Sequence, residues 1–382
     1  MPSLTASKQV SAFFLKTLQL THFKNYARHR IELSPRLNGF VGPNGTGKTN
    51  LLEAIHVLCL TRSHRGLSDK YLVQHGANFY RIEGCFERDG EEERITIKYD
   101  GQRKEVERNG APFPRLMDYV GRFPVVMVSP DDVALIQEGS EERRRFLDAT
   151  LSQLSAPYLN HLTVYTSLLK QRNALLKTFA EQRRFDSILL ETFDQQMAGP
   201  AATLWHMRRA FTAELLPILQ EIYAEIAGQH EPVSLRLEQG SDSDDLAAEL
   251  LAYRDRDRTL ERTSVGPHRD DLDLTLSGYS VKKYASQGQL KSFLLALRLA
   301  QYEALRQQKG IAPLLLLDDI FDKLDEQRVQ RLIALLWKRQ FGQIFLTDTH
   351  RLRLEKVVSA FKTEYRIHVT GHAVDNDGTA QT

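Results

Sequence analysis

The stretch Gly42-Pro43-Asn44-Gly45-Thr46-Gly47-Lys48-Thr49 decides the fold. It has glycine, lysine and threonine at every position that a phosphate-binding loop requires. Gly39-Phe40-Val41 precedes it as the end of a strand, and Asn50 to Leu58 follows with apolar residues at helical spacing. Backbone N–H groups of such a loop converge on phosphate oxygens. The stretch therefore predicts a nucleotide site, in which Lys48 reaches the β- and γ-phosphates and Thr49 binds Mg²⁺.

A second element of this site is predicted at Leu314–Leu317, four leucines that are followed by Asp318 and Asp319. Such an apolar run predicts a buried strand, and open α/β sheets bind ligands at the carboxyl ends of their strands. Alone, the pattern usually marks a strand that reaches solvent. Combined with a complete phosphate loop, it predicts that Asp318 holds Mg²⁺ and that Asp319 orients or deprotonates the attacking water.

A third element is Ser286-Gln-Gly-Gln289, which opens an amphipathic helical pattern ahead of the two aspartates. A serine and a glycine at a helix N-terminus offer hydroxyl and amide donors to a phosphate. In isolation, Ser286 is more often an ordinary N-cap. The order of the three elements, however, resembles that of ATP-binding-cassette ATPases. The resemblance implies that Ser286, Gly288 and Gln289 form a signature element that contacts the nucleotide of a partner subunit.

Composition excludes several classes of protein. The chain has 382 residues, of which 42% are hydrophobic and 26% charged, and this balance predicts two or three folded domains. No apolar run approaches the roughly 20 residues of a membrane-spanning helix. Two cysteines, Cys59 and Cys85, cannot form a disulfide framework, so a cytoplasmic location is predicted.

The distribution of charge bears on a polyanionic partner. The net charge is +2, from 51 basic and 49 acidic residues. Between Glu141 and Arg262 there are 15 basic and 19 acidic residues, so the positive excess lies on the two flanking segments. Arg62, His64 and Arg65 in the first flank are candidates for contacts with DNA phosphates.

Two groups of arginines in the middle of the chain have structural interpretations that do not involve DNA. Arg143–Arg145 could contact DNA, but the nearby Glu141 and Glu142 favour ion pairs within a helix about equally. Arginines at 254, 256 and 258 alternate with aspartates, which predicts a neutralised surface.

The order of patterns predicts an α/β fold with an inserted helical lobe. Residues 1–139 alternate between strand and helix patterns around the phosphate loop. Residues 140–262 are predicted to be helical, with a kink or a second helix beginning at Pro157 and breaks near Gly199-Pro200 and Pro217. Residues 263–382 return to strands and helices, including the signature element and the twin aspartates.

The combined motifs resemble the RecF family of SMC-type ATPases, from about residue 13 to residue 370. Besides the three elements above, the resemblance rests on Phe23-Lys-Asn-Tyr26, Ser129-Pro-Asp-Asp132, Glu142-Arg-Arg-Arg-Phe-Leu-Asp148, Gln171-Arg-Asn173, Gly266-Pro-His-Arg-Asp-Asp271 and Asp322-Lys-Leu-Asp325. Two positions depart from the pattern. Lys24 stands where the family often has arginine, and Ser129–Asp132 occupies the stretch in which related heads carry a Mg²⁺-sensing glutamine.

The resemblance implies an ABC/SMC-type P-loop ATPase head with ATP and Mg²⁺ as its ligands. Lys48, Asp319 and a switch histidine at His350 would be catalytic, and Asp325 would lie in a loop that communicates across an ATP-dependent homodimer. Such a dimer would clamp single- and double-stranded DNA at gap junctions and aid recombinase loading with RecR- and RecO-like partners. It would hydrolyse ATP slowly, as a weak DNA-dependent ATPase.

Three other functions share part of this pattern. The ATPase subunit of a membrane transporter has the same three elements, but the insertion and Gly266–Asp271 argue against it. A nucleotide-gated scaffold without turnover is a second alternative, although Lys48, Asp318 and Asp319 favour hydrolysis. A truncated SMC head with coiled-coil arms is the third, and the heptad-spaced stripe is too short for arms.

Overall fold

The computed structural model describes residues 13–228, 231–241, 243–323, 325–361 and 363–370. They fall into two compact units. The first unit comprises the described parts of Met1–Asp131 and Gly310–Thr382, and the second unit comprises those of Asp132–Lys309.

The helices and strands follow in chain order. Residues 13–131 contain β1 Phe13–Phe23, β2 Tyr26–Glu32, β3 Leu37–Val41, α1 Lys48–Leu60, β4 Tyr80–Arg88, β5 Glu91–Tyr99, β6 Lys104–Arg108, β7 Ala111–Pro112 and β8 Val125–Val128. Residues 132–309 contain α2 Val133–Gln137, α3 Ser140–Leu154, α4 Ala156–Gln182, α5 Ser187–Ala227, β9 Val233–Glu238, α6 Leu246–Ala252, α7 Arg254–Leu260, β10 Asp271–Leu276, β11 Tyr279–Ser280, α8 Val281–Tyr284 and α9 Gln287–Lys309. Residues 310–370 contain β12 Leu314–Leu317, α10 Glu326–Lys338, β13 Ile344–Asp348, α11 Arg351–Ala360 and β14 Tyr365–Val369.

A five-stranded sheet in the order β14-β3-β13-β12-β8 organises the first unit. All of its neighbouring strands pair in parallel. Leu317 lies opposite Leu346, and Asp348 lies opposite Val41, so β3, β12 and β13 end at the same edge. The fully buried β8 and β12 confirm the predicted apolar strands, since a parallel sheet covered on both faces needs no alternation. The α/β prediction is confirmed.

The helix α1 follows the phosphate loop and is buried on almost every side. It packs against strands of the parallel sheet and against β1, β4 and β5 of a six-stranded antiparallel sheet in the order β2-β1-β4-β5-β6-β7. Leu58 shows how close this packing is, because a Cβ on Gly84 of β4 would lie 2.3 Å from its Cδ2. The core therefore fixes the direction in which α1 leaves the loop.

The long helices of the second unit begin partly as predicted. The helix α4 starts at Ala156 with Pro157 in its first turn, and the Ser155 side chain caps it by accepting from the N–H of Tyr158. The predicted breaks near Pro200 and Pro217 are wrong, because α5 runs through both prolines. An interior proline costs a helix about 3 kcal/mol, and the buried apolar face of α5 outweighs that penalty.

The second unit does not coincide with the predicted lobe of residues 140–262. It also contains a three-stranded antiparallel sheet in the order β11-β10-β9 and the helix α9. The reason is packing, since α9 runs along α5 and also contacts α3. The signature element at the start of α9 thus belongs to the second unit. Among the helices of the described residues, none is long and apolar enough to cross a membrane.

A buried ionic cluster around Arg172 stabilises the second unit. The Arg172 side chain is fully buried, and it donates to Asp194 at 2.7 Å, to Asp257 at 2.6 Å and to the Thr263 hydroxyl at 2.9 Å. Asp257 is therefore not part of the neutralised surface predicted from the alternating residues 254–258. Its position on α7 turns it inward, and burial without a cation would be prohibitive.

A second cluster joins two of the family stretches through Arg208. Its guanidinium, 2% exposed, donates to Asp270 at 2.6 Å and to Asp148 at 2.7 Å. The Trp205 indole also donates to Asp270, at 3.0 Å. The stretches Glu142–Asp148 and Gly266–Asp271 thus meet in one hydrogen-bonded network.

Two of the three arginines in the 143–145 run belong to the same region. Arg143 forms a bidentate pair with Asp271, and Arg144 donates to the Asp270 carbonyl at 2.7 Å. Arg145 instead makes the expected helical ion pairs with Glu141 and Glu142.

Replacing Arg172 with alanine is expected to lower the free energy of unfolding by about 3–5 kcal/mol, because buried Asp257 would lose its cation and Asp194 its hydrogen-bonded one. Arg145→Ala is the matched control, and its exposed ion pairs contribute at most about 1 kcal/mol. Urea unfolding followed by circular dichroism measures both variants. Similar midpoints for the two would contradict the assigned importance of the buried cluster.

Candidate nucleotide-binding site

The phosphate loop links the end of β3 to the start of α1. It contains the predicted residues Gly42, Pro43, Asn44, Gly45, Thr46 and Gly47, and α1 begins at Lys48. Gly47 has a φ of 100°, and a Cβ there would lie 2.4 Å from Asn25 Nδ2. Only glycine combines this left-handed backbone with so close an approach. The first N–H groups of α1 remain for an anion.

Lys48 is folded back over the loop. Its side chain is buried, and Nζ donates to the Gly42 carbonyl at 2.7 Å and to the Pro43 carbonyl at 2.9 Å. Both acceptors are neutral. The ammonium is therefore held at the loop by hydrogen bonds that phosphate oxygens can replace with stronger, charge-assisted ones.

Asp318 connects the loop helix to the neighbouring strands. Its Oδ1 accepts from the Thr49 hydroxyl at 3.0 Å and from the Thr347 hydroxyl at 2.8 Å. The carboxyl is 3% exposed. Burial raises the pKa of Asp318, and the two hydroxyl donors act in the opposite direction. A cation at this point would favour the charged form and offset the cost of burial.

Thr49 and Asp318 fit Mg²⁺, which prefers oxygen ligands and keeps several waters. Among the described residues, no group of three or more His, Cys, Asp or Glu side chains could hold a metal ion. A Mg²⁺ ion here would therefore depend on Thr49, Asp318 and the phosphates of a nucleotide together.

Asp319 is the second residue after the buried strand β12 and has a φ of 50°. Its backbone N–H donates to the Thr347 hydroxyl oxygen at 2.8 Å. A left-handed non-glycine residue stores strain, and such residues are common at functional sites. Thr347, fully buried on β13, thus holds both aspartates in place. Thr347 was not predicted as a site residue, since its local signal is limited to its position near the end of an apolar strand.

The turn between β1 and β2 clamps the phosphate loop from a second side. Asn25 Nδ2 donates to the Thr46 carbonyl at 3.2 Å, and the Tyr26 hydroxyl donates to the Gly47 carbonyl at 3.1 Å. Asn50 Nδ2 on α1 donates to Asn25 Oδ1 at 2.8 Å. The positioning roles of Asn25 and Tyr26 were not predicted, although both residues lie in the stretch Phe23–Tyr26.

His350 lies just beyond β13, at the N-cap of α11. Its backbone N–H donates to Asp348 Oδ1 at 2.7 Å, and Arg353 holds the buried Asp348 carboxylate with two bonds of 2.7 Å. Within the described ranges, the exposed imidazole makes no hydrogen bond to Lys48 or Asp319. The structure places His350 at the sheet edge that carries the loop but does not join it to the other site residues.

The signature element caps α9 in the second unit. The Ser286 hydroxyl oxygen accepts from the Gln289 N–H at 3.2 Å, and Gln289 Oε1 accepts from the Ser286 N–H at 2.9 Å. This reciprocal arrangement is a capping box. Gln289 also donates to Glu231 at 2.7 Å. The Ser286 side chain is exposed, and its hydroxyl can still donate, while Gly288 lies in the first turn of the helix.

Comparison with known proteins identifies the family. Residues 14–370 match the family described as RecF/RecN/SMC N terminal domain. The DNA replication and repair protein RecF of Flavobacterium johnsoniae is 39% identical over 92% of this chain and 99% of its own length. That of Parabacteroides distasonis is 40% identical over 92% of this chain and 96% of its own length.

Solved structures agree with these relatives. The recombination mediator protein RecF-ATP in the RecFOR pathway is 30% identical, with a TM-score of 0.83 over 91% of this chain and 94% of that chain. An Smc head domain from Pyrococcus furiosus has a TM-score of 0.51 at 19% identity over 91% and 92% of the two chains, which shows a shared fold. The chain therefore belongs to the RecF family of DNA replication and repair proteins, which are built on the SMC-type ATPase head.

Proposed function

We propose that this chain is a DNA-binding ATPase whose two copies pair head to head when ATP is bound. The single observation that carries the proposal is the contact between Thr49 and Asp318, 3.0 Å long, which joins the phosphate loop to the metal-binding aspartate. A glycine-rich turn that matched by chance would not bring a hydroxyl and a buried carboxylate together at this edge of the sheet.

Each step of hydrolysis has a residue assigned to it in this proposal. Lys48 and the loop N–H groups bind the triphosphate, and Thr49 and Asp318 hold Mg²⁺, which when bound offsets the phosphate charge. Asp319 accepts a proton from water as its oxygen attacks the γ-phosphorus. The bond to the β-phosphate oxygen then breaks, and ADP and inorganic phosphate leave. Reaction is slow unless the γ-phosphate is also held from its open side.

The open side is assigned to the second copy. Ser286 supports this role because it is exposed and its hydroxyl proton is not used by the capping box. In the proposed dimer, Ser286 of each copy donates to the γ-phosphate held by the other. Gly288 lets the backbone approach, and Gln289 keeps the cap closed. The Asp325 side chain is the N-cap of α10 and accepts from the Arg328 N–H at 2.9 Å. In the proposed dimer, Asp325 lies in a loop that communicates between the two copies.

Closure of the dimer would clamp DNA at junctions of single and double strands. The names of the relatives support this, since one solved protein is a recombination mediator in the RecFOR pathway. Under the proposal, the chain acts in the cytoplasm with RecR- and RecO-like partners and hydrolyses ATP weakly in a DNA-dependent manner. The negative balance of residues 141–262 supports a DNA surface on the flanking segments.

Mixing two inactive variants tests the shared site. Lys48→Met removes the phosphate lysine but keeps Ser286, and Ser286→Arg does the reverse. Equal mixing should restore ATPase activity to at most about half of the native rate, because each mixed dimer has one complete pocket out of two. Activity is followed by phosphate release, with each variant alone as the control.

A mixture no more active than its components would argue against pockets shared in this way. Full activity of Ser286→Arg alone would show that the monomer hydrolyses ATP without its twin. A scaffold without turnover predicts no phosphate release from the native protein.

Thr347 gives a second test. Thr347→Val keeps the volume but removes the hydroxyl, so Asp318 loses a donor and the Asp319 N–H loses its acceptor. Hydrolysis should fall about 10- to 100-fold and need more Mg²⁺ for half-saturation. Thr347→Ser, which keeps the hydroxyl, should restore most of both. A native Mg²⁺ dependence in Thr347→Val would contradict the positioning role.

A further inference from the structure

A surface beside the β1–β2 turn combines exposed aromatic rings with cations. It consists of the loop of residues 62–79, His22 near the end of β1 and Lys24 in the turn, and we call it the 62–79 surface. The Lys24 N–H donates to the Leu72 carbonyl at 2.8 Å, and the Gln74 N–H donates to the His22 carbonyl at 2.8 Å. These bonds hold the loop and the turn together as one surface of the first unit.

Two aromatic side chains of this surface are unusually exposed. Tyr71 is 60% exposed and Phe79 is 43% exposed. The Phe79 ring contacts the His22 imidazole at a tilt of 36°, with 4.7 Å between the ring centroids. Lys70 Nζ lies 4.9 Å from the centre of the Tyr71 ring. Tyr71 precedes Leu72, whose carbonyl accepts from the Lys24 N–H, and Phe79 contacts the His22 ring. Both rings therefore offer area to a flat ligand.

Two lysines of the surface, Lys24 and Lys70, differ from Arg65, which pairs with Asp131 at 2.7 Å. Asp69 is the one acidic residue between positions 62 and 79, and it is occupied by Lys104 at 2.8 Å and by the Tyr80 hydroxyl at 2.6 Å. In the part of the chain that the structure describes, no carboxylate lies within ion-pair distance of Lys24 or Lys70. Glu53 acts on Lys24 only from beyond that distance, so both ammonium groups can pair directly with an anion.

The backbone of the turn is strained. His22 and Lys24 have φ values of 49° and 54°, in the left-handed region that side chains other than glycine rarely adopt. Each such residue raises the energy of the backbone, and strain of this kind is concentrated at ligand clamps. The strained residues here are His22, which contacts the Phe79 ring, and Lys24, one of the two lysines of the surface.

We propose that the 62–79 surface binds single-stranded DNA, and this rests on the proposed function. Bases stack on Tyr71 and Phe79, while Lys24 and Lys70 contact the phosphates between them. Aromatic platforms with adjacent cations suit single strands, because every unpaired base exposes a π-face. A duplex hides its base faces in the stack and would use only the cations of this surface.

The test compares binding of single-stranded and duplex DNA by fluorescence anisotropy in the presence of ATP. Tyr71→Ala and Phe79→Ala should each weaken binding of an oligothymidine of about 16 nucleotides by about tenfold, with less than a twofold effect on a blunt duplex. Lys70→Ala should weaken both and reduce the salt dependence of single-strand binding by about one phosphate contact. Trp337→Ala, an exposed aromatic of α10, is the matched control and should change neither affinity.

Direct contact is measured by ultraviolet cross-linking of the oligothymidine, which should label peptides containing Tyr71 or Phe79. Unchanged single-strand affinity in the Tyr71→Ala, Phe79→Ala double variant, or equal losses for single strand and duplex, would overturn the proposal. If the native protein binds neither DNA, the proposed function itself fails. If the native protein binds DNA and the double variant binds it equally well, only the assignment of this surface fails. Native-like urea midpoints show that the variants are folded.

Discussion

One buried carboxylate, that of Asp318, organises the site. It accepts hydrogen bonds from Thr49 at the start of α1 and from Thr347 at the end of β13. Thr347 in turn accepts from the backbone of Asp319. These contacts require three parallel strands to end at one edge, which the β3-β13-β12 order provides. The sheet therefore determines where a cation binds, because a buried carboxylate is stabilised in its charged form by a nearby cation.

Local patterns predicted much of this site from the sequence. The phosphate loop is contiguous, and its glycines, Lys48 and Thr49 have fixed spacing. The twin aspartates follow four leucines that can only form a buried element. The capping role of Ser286 likewise depends on neighbours three residues away. In each case, the physical cause lies within a few residues, so reading along the chain is sufficient.

Longer-range features could not be predicted in this way. Thr347 meets Asp318 across 29 positions and Asn25 meets Thr46 across 21, contacts that only the folded sheet creates. The prolines of α5 signalled breaks that tertiary packing overrides. The sequence pattern predicted Asp257 to be a surface charge, but in the fold it is buried in an ion pair with Arg172. The turn that clamps the phosphate loop also supports the 62–79 surface, so a ligand there could act on nucleotide binding through that shared turn.

The central claim is that a bound triphosphate completes its pocket with a second copy of the chain. Sedimentation velocity of the native protein, Lys48→Met and Asp319→Asn, each with and without ATP and Mg²⁺, tests it most directly. The account predicts ATP-dependent dimers for the native protein, a more persistent dimer for Asp319→Asn, and monomers throughout for Lys48→Met. A native protein that stays monomeric with ATP, or a Lys48→Met protein that dimerises equally well, would contradict it.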